Sequence, residues 1–470
     1  MGRIIRAIPR PAGAFTLFVL AFLASRIPLL GIGYGSDPDA WRNIVAALHV
    51  RAAGHYIPSR VPGFPVFELL LAALAPWGWR ATNLAAALAQ LGALVAFARV
   101  LDLRGARDRR AALVALAFGA ALWVHATQTM DYAFGLAFFL AAYAALLEQR
   151  AAWAGAWLAL ACGCRPSYAL VLPAAVAFLA LGAGARTRVR GSLARFLLGF
   201  APLVLALFVP VMIAPEARDL GGHLARHASH HVTPIQLVPV LRGSVVFLIG
   251  KWAATLLIGF AIAALVRRIR GARPQAAGGE AIGPVPKTGP APVDPAGPRD
   301  RAATAFEALA ALALVGFFLL TPYEQAYLLP VLPLLLILLA RRLPPRAMAA
   351  FACAMALQSL VSLEFAERRA IPGDLFLERA QRRADLAGSR ALLATPVRAP
   401  TVIEVGRFGV HRLLALDREL IVTDAGWSPF SAAGVALIAR DRPLAFAERL
   451  TEAQADSLRR AGWSIRNAAP

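Results

Sequence analysis

The sequence predicts an α-helical integral membrane protein with many spans and a small C-terminal α/β domain. Hydrophobic residues make up 59% of the 470 positions, charged residues only 16%, and the mean hydropathy is +0.61. A typical soluble domain is about 45–50% apolar and about 25% charged. The composition therefore excludes an ordinary soluble enzyme, a disordered chain and a fibrous chain.

The predicted spans follow from the apolar stretches. A helix needs about 20 mostly apolar residues to cross the hydrocarbon core. About eleven stretches qualify, at residues 13–33, 81–98, 111–128, 132–148, 153–164, 166–184, 196–214, 244–266, 304–321, 325–340 and 347–363. The stretch 63–78 is shorter and contains Pro65 and Pro76. It is interpreted as an interfacial or re-entrant helix, with a true span as the alternative.

The arginines predict the orientation. The segments between spans on the proposed inner side hold twenty-three basic residues. The proposed outer loops 34–80, 129–131 and 215–243 hold seven. By the positive-inside rule, the N-terminus is cytoplasmic and the C-terminus extracytoplasmic. The net charge of +22 lies mostly in runs between apolar stretches, so it indicates a membrane and not a nucleic acid as partner.

Two regions depart from the spanning pattern. One lies within the proposed transmembrane domain 1–363, and the other follows that domain. Residues 267–303 are rich in Pro, Gly, Ala and Arg, which predicts a flexible cytoplasmic loop. In residues 364–470 charges become frequent and apolar runs short, as in a small α/β extracytoplasmic domain. Strands are predicted at 402–405, 420–423 and 435–439. A helix is predicted at 451–461, with Thr451 as its N-cap.

Two carboxylates follow the first span, in Gly33-Tyr34-Gly35-Ser36-Asp37-Pro38-Asp39-Ala40-Trp41-Arg42. One could act as a general base and the other could bind a divalent cation or orient a substrate. The alternative is a structural N-cap, with Asp39 preceding a helix over residues 40–53. No other cofactor is indicated.

Further charged residues fall at the same predicted membrane face, where ionisable groups are costly and therefore candidates for function. Arg60 lies in a rigid proline-rich segment and could grip a phosphate, with snorkelling to lipid headgroups as the alternative. Arg165 breaks the hairpin of residues 153–184. The remaining candidates are Arg26 at the outer end of the first span, Asp131 at an outer turn, and Tyr323 and Glu324 before a short apolar stretch. Four histidines of the outer loop, at 223, 227, 230 and 231, could contact phosphate or a metal.

The order of these motifs resembles the GT-C superfamily of polytopic membrane glycosyltransferases. It is most similar to the bacterial protein O-mannosyltransferases and the lipid A aminoarabinose transferase. The motifs are Asp37-Pro38-Asp39, the segment 58–65 (Pro-Ser-Arg-Val-Pro-Gly-Phe-Pro), Asp131, Cys164-Arg165-Pro166-Ser167, and the segment 322–330 (Pro-Tyr-Glu-Gln-Ala-Tyr-Leu-Leu-Pro). The resemblance covers roughly residues 1–363.

The resemblance implies an inverting transfer of sugar from a polyprenyl-phosphate donor to a glycan, lipid or protein acceptor, at the outer face of the bacterial inner membrane. It implies Asp39 as the general base, with Asp37 assisting, and Arg60 on the donor phosphate. Asp131 matches an acidic position near the pocket, and Arg165 and Glu324 are looser matches. Many relatives carry glutamate after the loop aspartate, where this chain has Ala40.

Two other functions stay open on the sequence. A polytopic transporter or a flippase for lipid-linked sugars would fit the spans, but such proteins tend to show inverted repeats and polar residues near mid-membrane. Neither is clear here. A non-catalytic membrane scaffold, with the C-terminal domain binding a partner, is the third interpretation.

Overall fold

The structure is a computed structural model. It describes residues 12–60, 62–182, 186–213, 234–271, 297–322, 324–364, 369–406, 409–417, 419–423, 437–440 and 442–468.

The described part of the chain is mostly helical. The α-helices are α1 (Ala12–Leu30), α2 (Pro38–Ala53), α3 (Pro65–Leu74), α4 (Gly78–Leu103), α5 (Arg109–Phe118), α6 (Ala120–His125), α7 (Tyr132–Leu147), α8 (Ala151–Cys164), α9 (Leu172–Gly182), α10 (Arg186–Ile213), α11 (Pro234–Gly271), α12 (Pro298–Leu320), α13 (Val331–Arg342), α14 (Pro345–Leu360), α15 (Asp374–Leu393), α16 (Gly409–Leu416) and α17 (Glu452–Arg460). Short 3-10 helices lie at Ala75–Trp77, Pro166–Val171 and Gln325–Leu328.

The membrane character of the helices is plain from their length and surface. Among the described residues, six helical stretches are long and apolar enough to cross a membrane: Gly13–Leu30, Pro65–Leu103, Thr187–Ile213, Leu237–Val266, Pro298–Leu320 and Gln325–Arg342. Shorter apolar helices lie at Tyr132–Leu147, Ala151–Cys164 and Pro166–Gly182. Leu198 and Leu312 are 72% and 70% exposed, which suits lipid and not water. The predicted α-helical membrane fold is confirmed.

Some predicted spans differ in detail. The stretch 111–128 forms two helices, α5 and α6, because the backbone is extended at Gly119. In the stretch 63–78, helix α3 has ten residues. At about 1.5 Å per residue it reaches roughly half of the hydrocarbon core. The predicted loop 267–303 is helical at both described ends, and residues 272–296 lie outside the described part.

Small residues let α8 and α10 pack very closely. A Cβ atom at Gly155 would lie 2.1 Å from the carbonyl oxygen of Phe196, and one at Gly199 would lie 2.0 Å from that of Ala152. Any side chain at either position would therefore force the helices apart. Close contact through glycine is a common way for helices to associate in membranes, where dispersion contacts replace the hydrophobic effect.

The C-terminal region is built on a five-stranded sheet. Its strands are β3 (Thr401–Glu404), β4 (Ile421–Thr423), β5 (Leu437–Arg440), β6 (Arg442–Ala447) and β7 (Ser464–Asn467), in the order β4-β5-β6-β3-β7. Strand β3 is parallel to both neighbours, and β5 is antiparallel to both of its own. The three predicted strands and the predicted helix are present, and Thr451 caps α17 in a capping box. Strands β6 and β7 were not predicted.

The C-terminal region packs on the membrane helices. Helix α14 ends at Leu360 and the chain turns into a hairpin of β1 (Val361–Glu364) and β2 (Arg369–Pro372). Helix α15 then packs against α6 and α14, and α16 packs against α2. The surface that receives α15 and α16 therefore includes the loops around the two predicted carboxylates.

Candidate active site

Asp37 and Asp39 lie at the start of α2, where proline and aspartate together begin the helix. Asp37 is the N-cap, and its carboxylate accepts a hydrogen bond of 2.9 Å from the backbone N–H of Asp39. Pro38 occupies the first helical position, where no N–H is needed. The capping residue is thus Asp37 and not Asp39, which corrects the alternative considered from the sequence. Asp39 stands in the first turn with its side chain directed to other partners.

The loop before Asp37 is held against the turn that follows α6. The backbone N–H of Thr129 donates to the carbonyl of Tyr34 at 2.8 Å, and that of Asp37 donates to Gln128 Oε1 at 3.3 Å. Gly35 has a φ of +148°, and a Cβ atom there would lie 2.7 Å from Gln128 Oε1. Only glycine fits this close approach. The position of this segment, residues 33–39, which we call the acidic loop, therefore depends on residues 127–131.

Arg60 joins the acidic loop to Asp131. Its Nη1 pairs closely with the carboxylate of Asp39, and its Nη2 donates to Asp131 Oδ1 at 3.2 Å. The guanidinium also lies over the ring of Phe64, at 4.2 Å from the centroid. Asp39 has a second basic neighbour, Arg42, at 3.4 Å. Three predicted site residues from three separate segments thus meet in one cluster.

A buried carboxylate fixes the segment that carries Arg60. Glu68, on α3, is fully buried and accepts hydrogen bonds from the backbone N–H of Ser59 at 2.6 Å and of Phe64 at 2.8 Å. The hydroxyls of Ser59 and Tyr56 also donate to it. Four donors on one carboxylate hold residues 56–64 in place, and with them Arg60. Sequence reasoning did not single out Glu68.

Arg165 approaches Asp131 from the opposite side. It follows α8 in an extended conformation, which the next residue, Pro166, favours. Its Nη1 lies 3.3 Å from Asp131 Oδ2, and its guanidinium lies between the rings of Tyr132 and Tyr327, at 4.2 and 4.4 Å from their centroids. The side chain is buried, yet Nε and Nη1 have no hydrogen-bond partner among the described residues.

The other predicted residues have different positions. Glu324 accepts a hydrogen bond of 2.9 Å from the hydroxyl of Tyr132, which places it at the edge of the cluster. Tyr323 lies outside the described residues, as do the four histidines between 223 and 231.

Arg26 does not join the cluster. It is fully buried between helices, donates to Gln90 Oε1 at 3.1 Å and to the carbonyl of Ala117, and stacks on Phe22 and Trp123. These contacts are with helices of the bundle and not with the other predicted site residues.

One residue of α15, Glu378, contacts the acidic loop, and a second, Arg382, pairs with Glu378; sequence reasoning missed both. Glu378 Oε1 accepts from the hydroxyl of Ser36 at 2.6 Å and from Gln128 Nε2 at 3.3 Å. Arg382 Nε donates to the same oxygen at 2.5 Å. An i,i+4 pair of opposite charges on an amphipathic helix is typical of a solvated surface, so the sequence contains no signal that would have identified this pair.

The electrostatic surroundings of Asp37 raise the pKa of its carboxyl. Partial burial is the main cause. The negative charges of Asp131 and Glu378 raise the pKa further, whereas Arg60 and Arg165 oppose the rise. Among the described residues, Asp37 forms no ion pair, unlike Asp39 and Asp131.

Arginines surround the carboxylates of the cluster. In the described ranges, no group of three or more His, Cys, Asp or Glu side chains could hold a metal ion. Asp39 and Asp131 each contact two arginines, which already neutralise them. The cluster fits an anionic ligand better than the divalent cation considered from the sequence.

The described residues form a polytopic helical membrane protein with an acidic loop after the first helix, two arginines that meet at a third carboxylate, and a small C-terminal α/β region. A comparison with solved structures agrees. A structure of ArnT from Cupriavidus metallidurans in the apo state is similar, with a TM-score of 0.53 and 15% sequence identity over 86% of this chain and 84% of that one.

ArnT is the lipid A aminoarabinose transferase, a GT-C glycosyltransferase. A second structure, ArnT from Cupriavidus metallidurans bound to undecaprenyl phosphate, matches with a TM-score of 0.48 and 17% identity, over 87% of this chain and 73% of that one. No family model and no curated protein sequence matches the chain. The resemblance in fold expected from the motifs is confirmed.

Proposed function

We propose that this protein is an inverting glycosyltransferase. It moves a sugar from a polyprenyl-phosphate donor to an extracytoplasmic glycan, lipid or protein, at the outer face of the inner membrane. The observation that supports this most directly is Arg165. Among the described residues, Nε and Nη1 of its buried guanidinium have no hydrogen-bond partner, and the ion pair of Nη1 with Asp131 places it across that carboxylate from Arg60. A buried cation with free donors is suited to a ligand phosphate.

The arginines would act on the leaving group. The bond between the anomeric carbon and the phosphate oxygen breaks with its electron pair going to the lipid phosphate. That charge is stabilised by cations already in position. A phosphate bound at Arg60 competes with Asp39 for the guanidinium, so donor binding would loosen the pair between Arg60 and Asp39.

The acidic loop would supply the base. The acceptor hydroxyl or amine attacks the anomeric carbon from the face opposite the phosphate, and its proton passes to a carboxylate. The contacts favour Asp37 for this step, because it forms no ion pair with an arginine of the described residues and the pKa of its carboxyl is raised. Asp39 then orients Arg60. This division differs from the one implied by the family resemblance, in which Asp39 was the base.

The membrane partners follow from the helix surfaces. The loops that carry Asp37 and Asp131 adjoin α1 and α7, which are apolar, and the exposed apolar side chains of the bundle would contact lipids and the donor's polyprenyl tail. The arginine distribution supports a cytoplasmic N-terminus and an extracytoplasmic C-terminus.

The test is a comparison of envelope glycans, glycolipids and glycoproteins by mass spectrometry in the source organism. The strains are intact, gene-deleted, and deleted but carrying Asp37→Asn, Asp39→Asn or the control Asp102→Asn, at matched protein levels. Asp102 pairs with Arg109 at 2.7 Å, outside the cluster. Loss of a base lowers transfer by about 10²–10⁴-fold. One sugar should disappear on deletion and with Asp37→Asn, and persist with Asp102→Asn.

Other outcomes separate the alternatives. An unchanged glycan profile in the deleted strain would overturn the proposed function. A sugar lost on deletion but retained in both Asp37→Asn and Asp39→Asn would overturn the base assignment and favour a transporter or a scaffold. Normal transfer by Asp37→Asn with loss in Asp39→Asn would return the base to Asp39.

A further inference from the structure

Helix α15 is anchored to the membrane region by a buried arginine. Arg382 is 1% exposed, and its Nη1 donates to the carbonyl of Thr127 at 2.7 Å. The carbonyls of Leu29 and Val124, at the C-terminal ends of α1 and α6, each lie 3.4 Å from a guanidinium nitrogen. Free carbonyls at helix C-terminal ends favour a cation. The anchor therefore fixes α15 next to the two segments that support the acidic loop.

Glu378 extends this anchor to the loop itself. One of its oxygens, Oε1, receives all three donors, from Ser36, Gln128 and Arg382. Ser36 immediately precedes Asp37, and Gln128 accepts the backbone N–H of Asp37 through its own amide oxygen. A continuous hydrogen-bonded path thus runs from the buried arginine to the residue assigned as base.

Glu378 forms hydrogen bonds with the hydroxyl of Ser36 and the amide of Gln128, and not with the carboxylate of Asp37. The second oxygen of Glu378, Oε2, has no hydrogen-bond partner among the described residues. In this arrangement the loop is held through the hydroxyl of Ser36 and the backbone N–H of Asp37.

We infer that α15 of the C-terminal region holds the acidic loop in its working position, with Glu378 as the positioning residue acting through Ser36 and Gln128. The role in catalysis rests on the proposed function, but the role in holding the loop does not. The C-terminal region is then a structural part of the membrane site and not a separate module.

The test uses the full-length protein in lipid nanodiscs and in membranes of the gene-deleted strain. The variants are Glu378→Gln, Ser36→Ala and the control Asp385→Asn. Asp385 lies on the same helix and contacts Gln381 and Arg412, not the acidic loop. Ser36→Ala leaves the pair of Glu378 and Arg382 intact, so it reports on the loop contact even if Glu378→Gln disturbs folding.

The first readout is hydrogen exchange of the peptide covering residues 33–39, with no substrate present. We expect exchange in Glu378→Gln and Ser36→Ala to be about tenfold faster than in the unaltered protein, as for loss of one hydrogen bond to a charged group. Asp385→Asn should leave this exchange unchanged. Equal exchange in all four proteins would overturn the inference, whatever the activity.

The second readout is the pH dependence of product formation in the membranes, measured by mass spectrometry. Removing the negative charge of Glu378 should move the acid limb of the rate profile to lower pH, because Glu378 is one of the groups that raise the pKa of Asp37, with Asp131, against Arg60 and Arg165. A loss of protein stability alone would not move this limb.

The two failures are distinguishable. If the unaltered protein makes no product while loop exchange responds to Glu378→Gln and Ser36→Ala, the proposed function is wrong and the positioning role stands. If the unaltered protein makes product and both variants behave as Asp385→Asn does in both readouts, the positioning role is wrong and the proposed function stands.

Discussion

Arg165 is the residue whose environment is hardest to explain by packing. Removing a charge from water costs several kcal/mol unless partners replace the lost hydration. Two tyrosine rings and one carboxylate surround this guanidinium, yet its Nε and Nη1 make no hydrogen bond to the described residues. Arg26 and Arg382 are also buried, but each donates to protein carbonyls and side chains, although Arg26 Nε has no partner among the described residues either. This difference supports the proposal that Arg165 is placed for a ligand.

We expect Arg165→Lys to lower sugar transfer by about 10²-fold or more, because an ammonium group cannot stack between two rings or bind an anion through parallel N–H groups. Product formation in membranes of the deleted strain measures this loss. Arg99→Lys is the matched control, since Arg99 pairs with Glu148 at 2.6 Å and is 42% exposed. Similar activity in both variants would contradict the assigned role of Arg165.

Helices α8 and α10 show how an element can depend on the absence of a side chain. Both helices are strongly apolar, which indicates the membrane but not the partner. Their contact is decided by Gly155 and Gly199, where carbonyl oxygens stand at 2.1 and 2.0 Å from where a Cβ would be. Because α8 ends at Cys164, this packing also sets the position of Arg165.

Gly199→Ala should therefore destabilise the protein by about 1–3 kcal/mol, as expected when atoms are forced into a filled space. Gly191→Ala, on the same helix, has nothing within 4 Å of the added Cβ and should be neutral or slightly stabilising. Thermal unfolding of the two variants in nanodiscs measures the difference. Equal melting temperatures would show that the helices do not meet at Gly199.

Helix α16 lies against α2, and its buried histidine should make this contact sensitive to acid. Burial and, next, the charge of Arg42 lower the pKa of His411 to about 3. The imidazole of His411 binds a proton less readily in the folded protein than in the unfolded chain. The free energy of unfolding is therefore highest above a pH of about 6.5 and falls as the pH drops toward 3. The loss at pH 5 is limited by the carboxylate of Glu448, which lies 3.8 Å from Nδ1 of His411 and favours the charged imidazole.

Hydrogen exchange of peptides covering residues 401–416, at pH 7 and pH 5 after correction for the intrinsic rate, measures this loss. His411→Gln should remove the pH dependence. His55→Gln should not, because His55 is exposed and lies outside this contact. An unaltered dependence in His411→Gln would contradict the assignment.

In the whole molecule, the C-terminal region lies on the same side of the membrane as the acidic loop. The contacts of Glu378 and Arg382 with residues 29, 36, 127 and 128 require this. We propose from the arginine distribution that this side is the outside. The contacts show only that the C-terminal region and the acidic loop share one side.

A cysteine placed at Asp456 should accordingly react with a membrane-impermeant maleimide added to intact spheroplasts. A cysteine at Arg299 should react only after lysis. Both substitutions are made with the three native cysteines replaced by alanine. Labelling of Arg299→Cys in intact cells, or protection of Asp456→Cys, would reverse the proposed orientation.

Much of the site could be found from single residues. Charged groups near membrane depth are costly, and this rule selected Asp37, Asp39, Arg60, Asp131 and Arg165. All of these except Asp37 are joined by ion pairs. The same rule also selected Arg26, which the structure buries among carbonyls and aromatic rings. A rule based on cost cannot distinguish a buried cation that is bonded within the protein from one that we propose to bind a ligand.

Composition, apolar length and arginine distribution were enough to establish a polytopic helical membrane protein with a small α/β region after it, because those properties depend on the bilayer and on local sequence. Those properties could not predict the break at Gly119, the close contact at Gly199 or the hydrogen bond between Ser36 and Glu378. These features arise from the packing of segments far apart in the chain. In the sequence, a charge pair such as Glu378 and Arg382 looks the same whether it faces water or supports a site. Only the tertiary structure shows which residues pack against it.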